Sequence, residues 1–419
     1  MATTLRHPHE NIGFRAPLAA LAARAASWRY AATSKRDLRI DLLRGFAVFA
    51  IVADHVGGDA SWLYRLTGGD TFYTSAAEGF VFIAGLVFGI VYPAIVARHG
   101  LAEAMMKAFK RAGTLYLFTV ALTFITVPLS QRLGVWWGAP VSRSEIHDFV
   151  LGVLTLHQTS FLTDVTLLYV LLLVGAAISL VFFSTGRTWV VLAASWGLWA
   201  LWQLDYRYAG FVWGIQGNEI FHVAAWQVLF FTGLAIGYHR QALARRFSAL
   251  TGPGALLASS VAFAWLIRLY HQNLAGFPGS NQARVQEWFT YKPNVGPGRL
   301  LAFAIVAIFA FSLVTNLWKP LSRAVGWLLL PLGQHALLAY GTHLFAVMAM
   351  AKFSADLTGS VAGAGQRAAV QLLAVVAVWL VIQVVLRAQP LLRTLPQWLP
   401  TSRPQPQPVA MRAGLRRVR

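Results

Sequence analysis

Apolar runs of about 18 or more residues recur along this chain, and they constrain its fold more than any other feature. A helix of about 20 apolar residues crosses a hydrocarbon core roughly 30 Å thick. Hydrophobic residues make up 57% of the 419 residues and charged residues only 12%, which is not a soluble composition. The sequence therefore predicts an all-α, polytopic integral membrane protein with about ten transmembrane helices. The ten runs fall at residues 40–57, 75–97, 111–130, 163–184, 188–204, 219–238, 252–270, 299–317, 325–350 and 368–388.

The strongly basic charge is explained by membrane topology. A net charge of +20 suggests nucleic acid as a partner at first sight. When the ten runs are threaded with the N-terminus inside, however, most of the 35 Lys and Arg residues fall in cytoplasmic segments. That bias is the positive-inside rule. We therefore predict that both termini are cytoplasmic, that membrane lipids are partners of the basic charge, and that nucleic acid is not a partner.

Three segments follow from this pattern. Residues 1–39 are predicted to be a basic cytoplasmic segment, and their stretch APLAALAARAASWRY is typical of an amphipathic helix on a membrane surface. Residues 40–388 form the transmembrane domain. Residues 389–419 are rich in Pro and Arg, which predicts a disordered cytoplasmic tail. The short apolar piece 148–160 is too polar to span, so we expect an interfacial or re-entrant helix there.

The first apolar run carries Arg44 and His55, which are eleven positions apart. In a helix this spacing places both side chains within roughly 20° of one face, about 16 Å apart along the axis. Charged groups inside a bilayer are costly and mark functional sites. Arg44 would bind an anionic group from the cytosol, or Asp41 would merely neutralise it at the boundary. His55 would act as a general base towards a hydroxyl, or it would form a polar pair with Asp54 at the helix end.

Glu78 lies near the outer end of the second run, beside Gly79, Gly85 and Gly89, which allow close helix packing. A carboxylate at that depth should face the protein interior. There Glu78 would orient His55 or bind an acceptor hydroxyl. The alternative is an interfacial carboxylate in water.

Two further groups of polar residues remain ambiguous. In the late run, His335, Tyr340 and His343 would line a substrate path or form hydrogen bonds between helices. On the outer side, Glu219, His222 and Trp226 recur at helical spacing and would form an acceptor-binding vestibule, although helix ends and aromatic belts look similar. The other outer candidates are His157, Gln158, Asp164, Asn218 and Gln227.

Sequence motifs for bound cofactors are missing. The chain contains no HExxH, GxxxxGK[ST] or GxGxxG motif, so we predict neither a metal site nor a permanently bound nucleotide. It contains no cysteine, which excludes disulfides and thiolate chemistry.

These residues resemble the integral-membrane acyltransferase type 3 superfamily and, within it, the OpgC branch, the succinyltransferases of osmoregulated periplasmic glucans. The spacing Arg44-x10-His55, preceded by Asp41, matches the first-helix signature. The stretch GFVFIAGLVFG at 79–89 resembles the second-helix signature. The pattern LG(x)6YxxH, which ends at His343, resembles the late signature, although Ala336 replaces its usual serine.

The resemblance runs from about residue 36 to 388, and three longer stretches look more specifically OpgC-like. They are DLLRGFAVFAIVADHVGG, LHQTSFLTDVTLLYVLL and QVLFFTGLAIGYHR. The resemblance implies a multi-pass O-acyltransferase of the bacterial inner membrane. Such an enzyme takes an acyl group from cytosolic acyl-CoA, its co-substrate, and transfers it to a hydroxyl of a periplasmic or envelope glycan.

The resemblance implies that His55 is the catalytic base and Arg44 its essential partner or a donor-binding residue. A succinyl group would bring a carboxylate that needs a second cation, and no second intramembrane arginine is evident, so the acyl group stays open. A secondary transporter or flippase of an envelope precursor is the alternative. The candidate catalytic residues are His55, Arg44, Asp54 and Glu78. The candidate substrate-binding residues are Asp41, Asp164, His157, Tyr340, His343, Glu219 and His222.

Overall fold

The computed structural model is predominantly helical in the part of the chain that it describes. That part comprises residues 23–32, 36–57, 61–69, 72–135, 137, 141–204, 213–271, 289–358 and 363–393. The all-α prediction is confirmed, because these residues form no strand beyond an isolated bridge between Gln158 and Gln216. Residues 1–382 form one compact unit, which holds all the site residues discussed below, and residues 383–419 form a second.

We number the α-helices in chain order. They are α1 (Leu38–Gly57), α2 (Trp62–Thr67), α3 (Ala76–His99), α4 (Leu101–Leu133), α5 (Ile146–Leu154), α6 (Asp164–Ser184), α7 (Thr188–Leu204), α8 (Val223–Tyr238), α9 (Ala244–Ala249), α10 (Pro253–His271), α11 (Pro297–Asn316), α12 (Trp318–Gln334), α13 (Ala336–Thr358) and α14 (Ala364–Arg393). A short 3₁₀ turn, Arg143–Glu145, precedes α5.

Within the described residues, six helices are long and apolar enough to cross a membrane, so the chain is a membrane protein. They are α3, α4, α6, α10, α11 and the part Gly365–Ala388 of α14. Helix α8 and the part Ala336–Ala351 of α13 are apolar but shorter. Helix α1 falls outside both groups, since it carries Arg39, Asp41, Arg44 and Asp54 within 20 residues. The count of ten spans and the side on which the termini lie remain predictions.

The expected ninth span, 325–350, is wrong as a single helix. Helix α12 ends at Gln334 and α13 begins at Ala336, with His335 between them. Pro331 lies inside the last turn of α12 and has no N–H to donate to the preceding turn. The run of apolar residues is continuous across this break, which is why hydropathy alone did not reveal it.

The segment boundaries differ in part from those expected. Helix α14 continues to Arg393, beyond the predicted end of the transmembrane domain at 388. Residues 23–27, in the predicted amphipathic stretch, are helical and exposed. Residues 1–22 and 394–419 lie outside the described residues, so most of the predicted cytoplasmic ends stay predictions. The piece 148–160 contains the end of α5 and the irregular segment that follows it.

Helices α3 and α8 pack backbone against backbone through glycines. Gly85 and Gly89 of α3 face carbonyl groups of α8, and Gly233 and Gly237 of α8 face carbonyl groups of α3. A Cβ at any of these four positions would collide with the opposite main chain. The predicted role of Gly79 in this packing is wrong, because a Cβ there would meet nothing within 4 Å.

A second close approach joins α1 to α12 and positions the site. Gly45 of α1 lies against the carbonyl of Leu329, and Gly333 of α12 lies against the carbonyl of Asp41. Because neither glycine has a side chain, the two main chains come near enough for Arg44 to reach a backbone group of the neighbouring helix.

The apolar residues divide into a packed core and an outer surface. Trp226 and Phe230 of α8 are fully buried. On α10, by contrast, Leu257, Val261 and Trp265 are all more than 60% exposed. These three are spaced by four residues and so share one helix face. An apolar face of that kind is suited to hydrocarbon rather than to water.

Candidate active site

Arg44 is held in place at one end of α1. Its Nη2 donates to Asp41 Oδ1 at 2.5 Å, and its Nε donates to the Gly333 carbonyl at 2.6 Å. The expected pairing of Asp41 with Arg44 is therefore present. Asp41 Oδ1 also accepts from Arg36 Nη2 at 3.1 Å. The Arg36 side chain is 62% exposed and that of Arg44 only 14%, so Asp41 links an outer cation to an inner one.

Further groups surround Arg44 from neighbouring helices. Arg111 of α4 and Tyr169 of α6 lie close enough to interact with it electrostatically. Arg36 and Arg44 thus contact Asp41, and Arg111 lies within electrostatic reach of Arg44, so three guanidinium groups accompany one carboxylate. Sequence reasoning did not connect Arg36 or Arg111 with Arg44. The only available signal was that both lie in basic segments predicted to be cytoplasmic.

His55, near the other end of α1, contacts His343 of α13. His55 Nδ1 lies 3.3 Å from His343 Nε2, and the two ring planes are inclined by 27° with centroids 5.5 Å apart. His343 is fully buried and its Nδ1 lies 2.5 Å from the Tyr340 carbonyl oxygen. The spacing of Tyr340 and His343 placed them on one helix face, but their proximity to His55 was not predicted.

The side chain of His55 is exposed, although its neighbour His343 is fully buried. His55 therefore lies at the edge of the packed interior. Its ring is accessible to a small molecule there.

Aromatic side chains lie between the two ends of the site. Phe80 of α3 stacks on Tyr340 with centroids 6.2 Å apart and meets Tyr169 edge-on at 5.6 Å. The Tyr340 hydroxyl donates to the Leu162 carbonyl at 2.6 Å. The Tyr169 hydroxyl is buried without a hydrogen-bond partner among the described residues. These side chains connect the neighbourhood of Arg44 with that of His343.

Lys292 is a cation near His55 that sequence reasoning missed. It lies in the segment 291–296 before α11, close enough to interact electrostatically with both His55 and Asp164. Asp164 begins α6 and is 6% exposed. The sequence offered only a lysine in a loop rich in Pro and Gly, with nothing to connect it to a histidine more than 200 positions earlier.

The segment that carries Lys292 is anchored to α7. Trp199 Nε1 donates to the Val295 carbonyl at 2.9 Å, and Trp202 Nε1 donates to Asn294 Oδ1 at 3.0 Å. Val295 has a φ of +47°, a left-handed conformation that is rare for a β-branched residue. The hydrogen bonds from the two tryptophans hold this unusual turn in place.

Glu78 forms a buried ion pair instead of contacting His55. Its Oε1 accepts from Arg299 Nε at 2.8 Å and also from Arg299 Nη2. Its Oε2 accepts from the amide and hydroxyl of Ser75, which completes a capping box at the start of α3. Both oxygens are thus engaged, so the structure does not support Glu78 as the group that orients His55. The alternative of an interfacial carboxylate in water is also wrong, because Glu78 is 0% exposed.

The partner of Glu78 corrects a second expectation. Arg299 lies in the first turn of α11, one of the six candidate membrane spans, and is 3% exposed. A second arginine is therefore buried in a candidate span, although none was evident from the sequence. The sequence did not reveal this burial, because Arg299 is the first residue of an apolar run and a charged residue at such a position normally reaches water.

Asp54 links α1 to α2 by a hydrogen bond. Its Oδ1 accepts from the Thr67 hydroxyl of α2 at 2.5 Å. Close by, Gln371 of α14 donates to the Ala53 carbonyl at 2.8 Å and accepts from Ser61 at 2.5 Å. These bonds hold the end of α1 that carries His55.

The residues expected to form an outer vestibule lie in two separate places. His157 is exposed and stacks on Trp213 with centroids 4.8 Å apart, beside the bridge between Gln158 and Gln216. His222 instead packs against Trp202, also at 4.8 Å.

The helical register predicted for this region is wrong. Helix α8 begins only at Val223, so Glu219 and His222 precede the helix and do not share a face with Trp226. Glu219 is exposed, whereas Trp226 is a core residue whose Nε1 donates to the Ile220 carbonyl at 2.7 Å. Gln227 is likewise buried and bonds with Ser195 of α7.

Comparisons with known proteins place the chain in a family. No curated protein and no solved structure gives a significant match. A family model described as OpgC protein matches residues 36–389, which is most of the chain and nearly the range expected from the motifs. The chain therefore belongs to the OpgC protein family, and this membership implies a transferase of the acyl-transfer type that acts on glucans.

Proposed function

We propose that this protein is an O-acyltransferase of the bacterial inner membrane that uses cytosolic acyl-CoA and acylates a hydroxyl of a periplasmic or envelope glucan. The observation that carries the proposal is the arrangement of α1. One helix presents an arginine near other cations at one end and an exposed histidine at the other. Acyl-CoA and the glucan are the partners that this arrangement suits, within the lipid of the membrane.

His55 is the general base in this proposal. Its imidazole accepts the proton of the acceptor hydroxyl as the hydroxyl oxygen attacks the thioester carbonyl. A C–O bond forms and, as the tetrahedral intermediate collapses, the C–S bond breaks. The leaving thiolate of CoA takes the proton from the His55 imidazolium and departs as the thiol. Proton and electron pairs balance without a bound metal or a permanently held cofactor.

The donor would bind along α1 from the cytosolic side. Phosphate groups of CoA suit the cluster of Arg36, Arg44 and Arg111, because guanidinium groups bind phosphate in a bidentate fashion. His55 lies eleven positions after Arg44 in the helix, which is about 16 Å along its axis. That distance is comparable to an extended pantetheine arm, so the thioester would reach His55 while the nucleotide stays at the cations. The aromatic side chains of Phe80, Tyr169 and Tyr340 would flank this arm.

The position of Lys292 favours a donor whose acyl group carries a second carboxylate, such as succinyl-CoA. The free carboxylate of succinyl-CoA requires a cation near the reacting thioester, and Lys292 lies near His55. Arg299 is less suitable for this role because Glu78 already engages it. In this proposal Lys292 binds the distal carboxylate while His55 acts on the acceptor hydroxyl.

The decisive experiment uses purified protein in liposomes with acyl-CoA and periplasmic glucan. CoA release that depends on the glucan, together with acylated glucan in the mass spectrum, is the expected result. His55→Ala should lower the rate by at least about 10²-fold while folded protein remains in the membrane. His99→Ala serves as the matched control, because His99 is exposed at the end of α3. Full activity of the His55→Ala protein would exclude the base role.

The transporter alternative predicts a different outcome in the same liposomes. It predicts counterflow of labelled glucan or precursor without release of CoA. That result, unchanged in the His55→Ala protein, would overturn the proposal.

A further inference from the structure

We infer that His343 is a positioning residue, which holds His55 in the tautomer whose Nε2 is free of a proton. This inference rests on the proposed function, since it concerns the residue that we assign as the base. It follows from the hydrogen bonds that join the Tyr340 carbonyl to His343 and His343 to His55.

The Tyr340 carbonyl is the buried end of this series of hydrogen bonds. It lies 2.5 Å from His343 Nδ1, and a carbonyl oxygen can only accept, so Nδ1 carries a proton. His343 is fully buried and its ring packs on that of Tyr340, with centroids 4.5 Å apart. An uncompensated charge in such a place is strongly disfavoured, so the ring is neutral. A neutral imidazole with a proton on Nδ1 has a lone pair on Nε2.

That lone pair determines the state of His55. His343 Nε2 lies 3.3 Å from His55 Nδ1, and one of the two atoms must donate. Because Nε2 of His343 is the acceptor, Nδ1 of His55 carries the proton. The protonated nitrogen of an imidazole is set by the bond that the other nitrogen makes. His55 Nε2 therefore keeps its lone pair for the acceptor hydroxyl.

The same contact remains useful after proton transfer. When Nε2 takes the proton of the acceptor, Nδ1 still donates to His343, and His343 still donates to the Tyr340 carbonyl. Hydrogen bonds aligned in this way polarise one another. The other titratable groups around the pair are Lys292 beside His55, and Asp164 and Tyr169 near Tyr340. Of these, Lys292 disfavours a second cation, which makes the contact with His343 more important.

Two substitutions at one position separate positioning from packing. In His343→Gln the side-chain amide oxygen can occupy the place of Nε2 and accept from His55. In His343→Phe the ring and its packing are kept, but the acceptor is lost. We expect Phe to lower kcat on the order of 10²-fold with an unchanged KM for acyl-CoA, and Gln to recover most of that loss. A Phe variant as active as the Gln variant would show that His343 only fills space, and would overturn the inference.

The tautomer itself can be measured in the native chain. ¹⁵N-histidine NMR of the full protein in lipid, with the His55 signals assigned by their loss in His55→Gln, should show a proton on Nδ1 and none on Nε2. A proton on Nε2 would overturn the inference even if both His343 variants failed to fold. This readout needs no turnover. It therefore distinguishes a wrong tautomer from a wrong function, which the activity of His55→Ala tests separately.

Discussion

Lys292 and Arg299 are two buried or half-buried cations whose environments assign them different roles. Arg299 donates twice to Glu78 and has little exposure, so it stabilises the junction of α3 and α11. Lys292 lies in a loop near His55 and Asp164, where bound substrate would also lie. A change at Lys292 should therefore affect substrate choice more than folding.

We predict that Lys292→Met raises KM for succinyl-CoA on the order of tenfold, equivalent to one hydrogen bond to a charged group. Methionine keeps the length of the side chain but lacks its charge. KM for acetyl-CoA should change little, because acetyl has no carboxylate. Steady-state kinetics with both donors measure the difference, and Lys319→Met, at an exposed lysine of α12, is the control. An equal effect on both donors would contradict the assignment.

The sequence was sufficient to find Arg44 and His55, because an eleven-residue spacing determines a shared helix face in any α-helix. Partners from distant parts of the chain could not be found in this way. His343 lies 288 residues after His55, and Arg299 lies 221 residues after Glu78. Such contacts depend on which helices are neighbours, and neither periodicity nor hydropathy specifies that.

The interface between α3 and α8 depends on the absence of side chains. Gly85, Gly89, Gly233 and Gly237 let each main chain lie against the other. In a membrane, where apolar side chains gain little by leaving lipid, such close approach is a main source of helix association.

We predict that Gly85→Ala destabilises the protein by about 1–3 kcal/mol, because the new Cβ collides with the Phe230 carbonyl and the helices must move apart. Gly79→Ala, six residues earlier on the same helix, is the matched control. A Cβ there meets open space, and alanine favours a helix by about 0.5–1 kcal/mol relative to glycine. Unfolding in mixed micelles measures both changes. Equal stability of the two variants would contradict the packing described.

Helices as such were largely predictable, since each apolar run coincides with helical structure. The ends and interruptions of the helices were not predictable. The break at His335 lies within an unbroken apolar run, and α8 starts four residues later than the run that predicted it. Hydropathy reports which residues avoid water, whereas a helix end is set by backbone hydrogen bonds and by residues such as Pro331.

The distribution of charge along the chain determines its orientation in the membrane. The six candidate spans establish a membrane protein, but they do not establish which side each loop faces. The positive-inside rule predicts that the C-terminal tail is in the cytosol and that the loop before α5 is on the outer side.

We predict that Ser402→Cys reacts with an impermeant maleimide only after the membrane is permeabilised, whereas Ser144→Cys reacts in intact spheroplasts. The chain has no cysteine of its own, so each label reports a single position. Ser144 is exposed in the 3₁₀ turn before α5. Labelling of Ser402→Cys in intact spheroplasts would contradict a cytoplasmic C-terminus.

The openness of the His55 ring has a chemical consequence for the order of events. Water is a nucleophile of the same kind as a sugar hydroxyl, and an exposed imidazole is accessible to it. A thioester that arrived there first would be hydrolysed, and one molecule of acyl-CoA would be lost in each such event. In the proposed reaction the glucan must therefore displace water from the imidazole before the thioester arrives, so that the acceptor protects the donor from a wasteful side reaction.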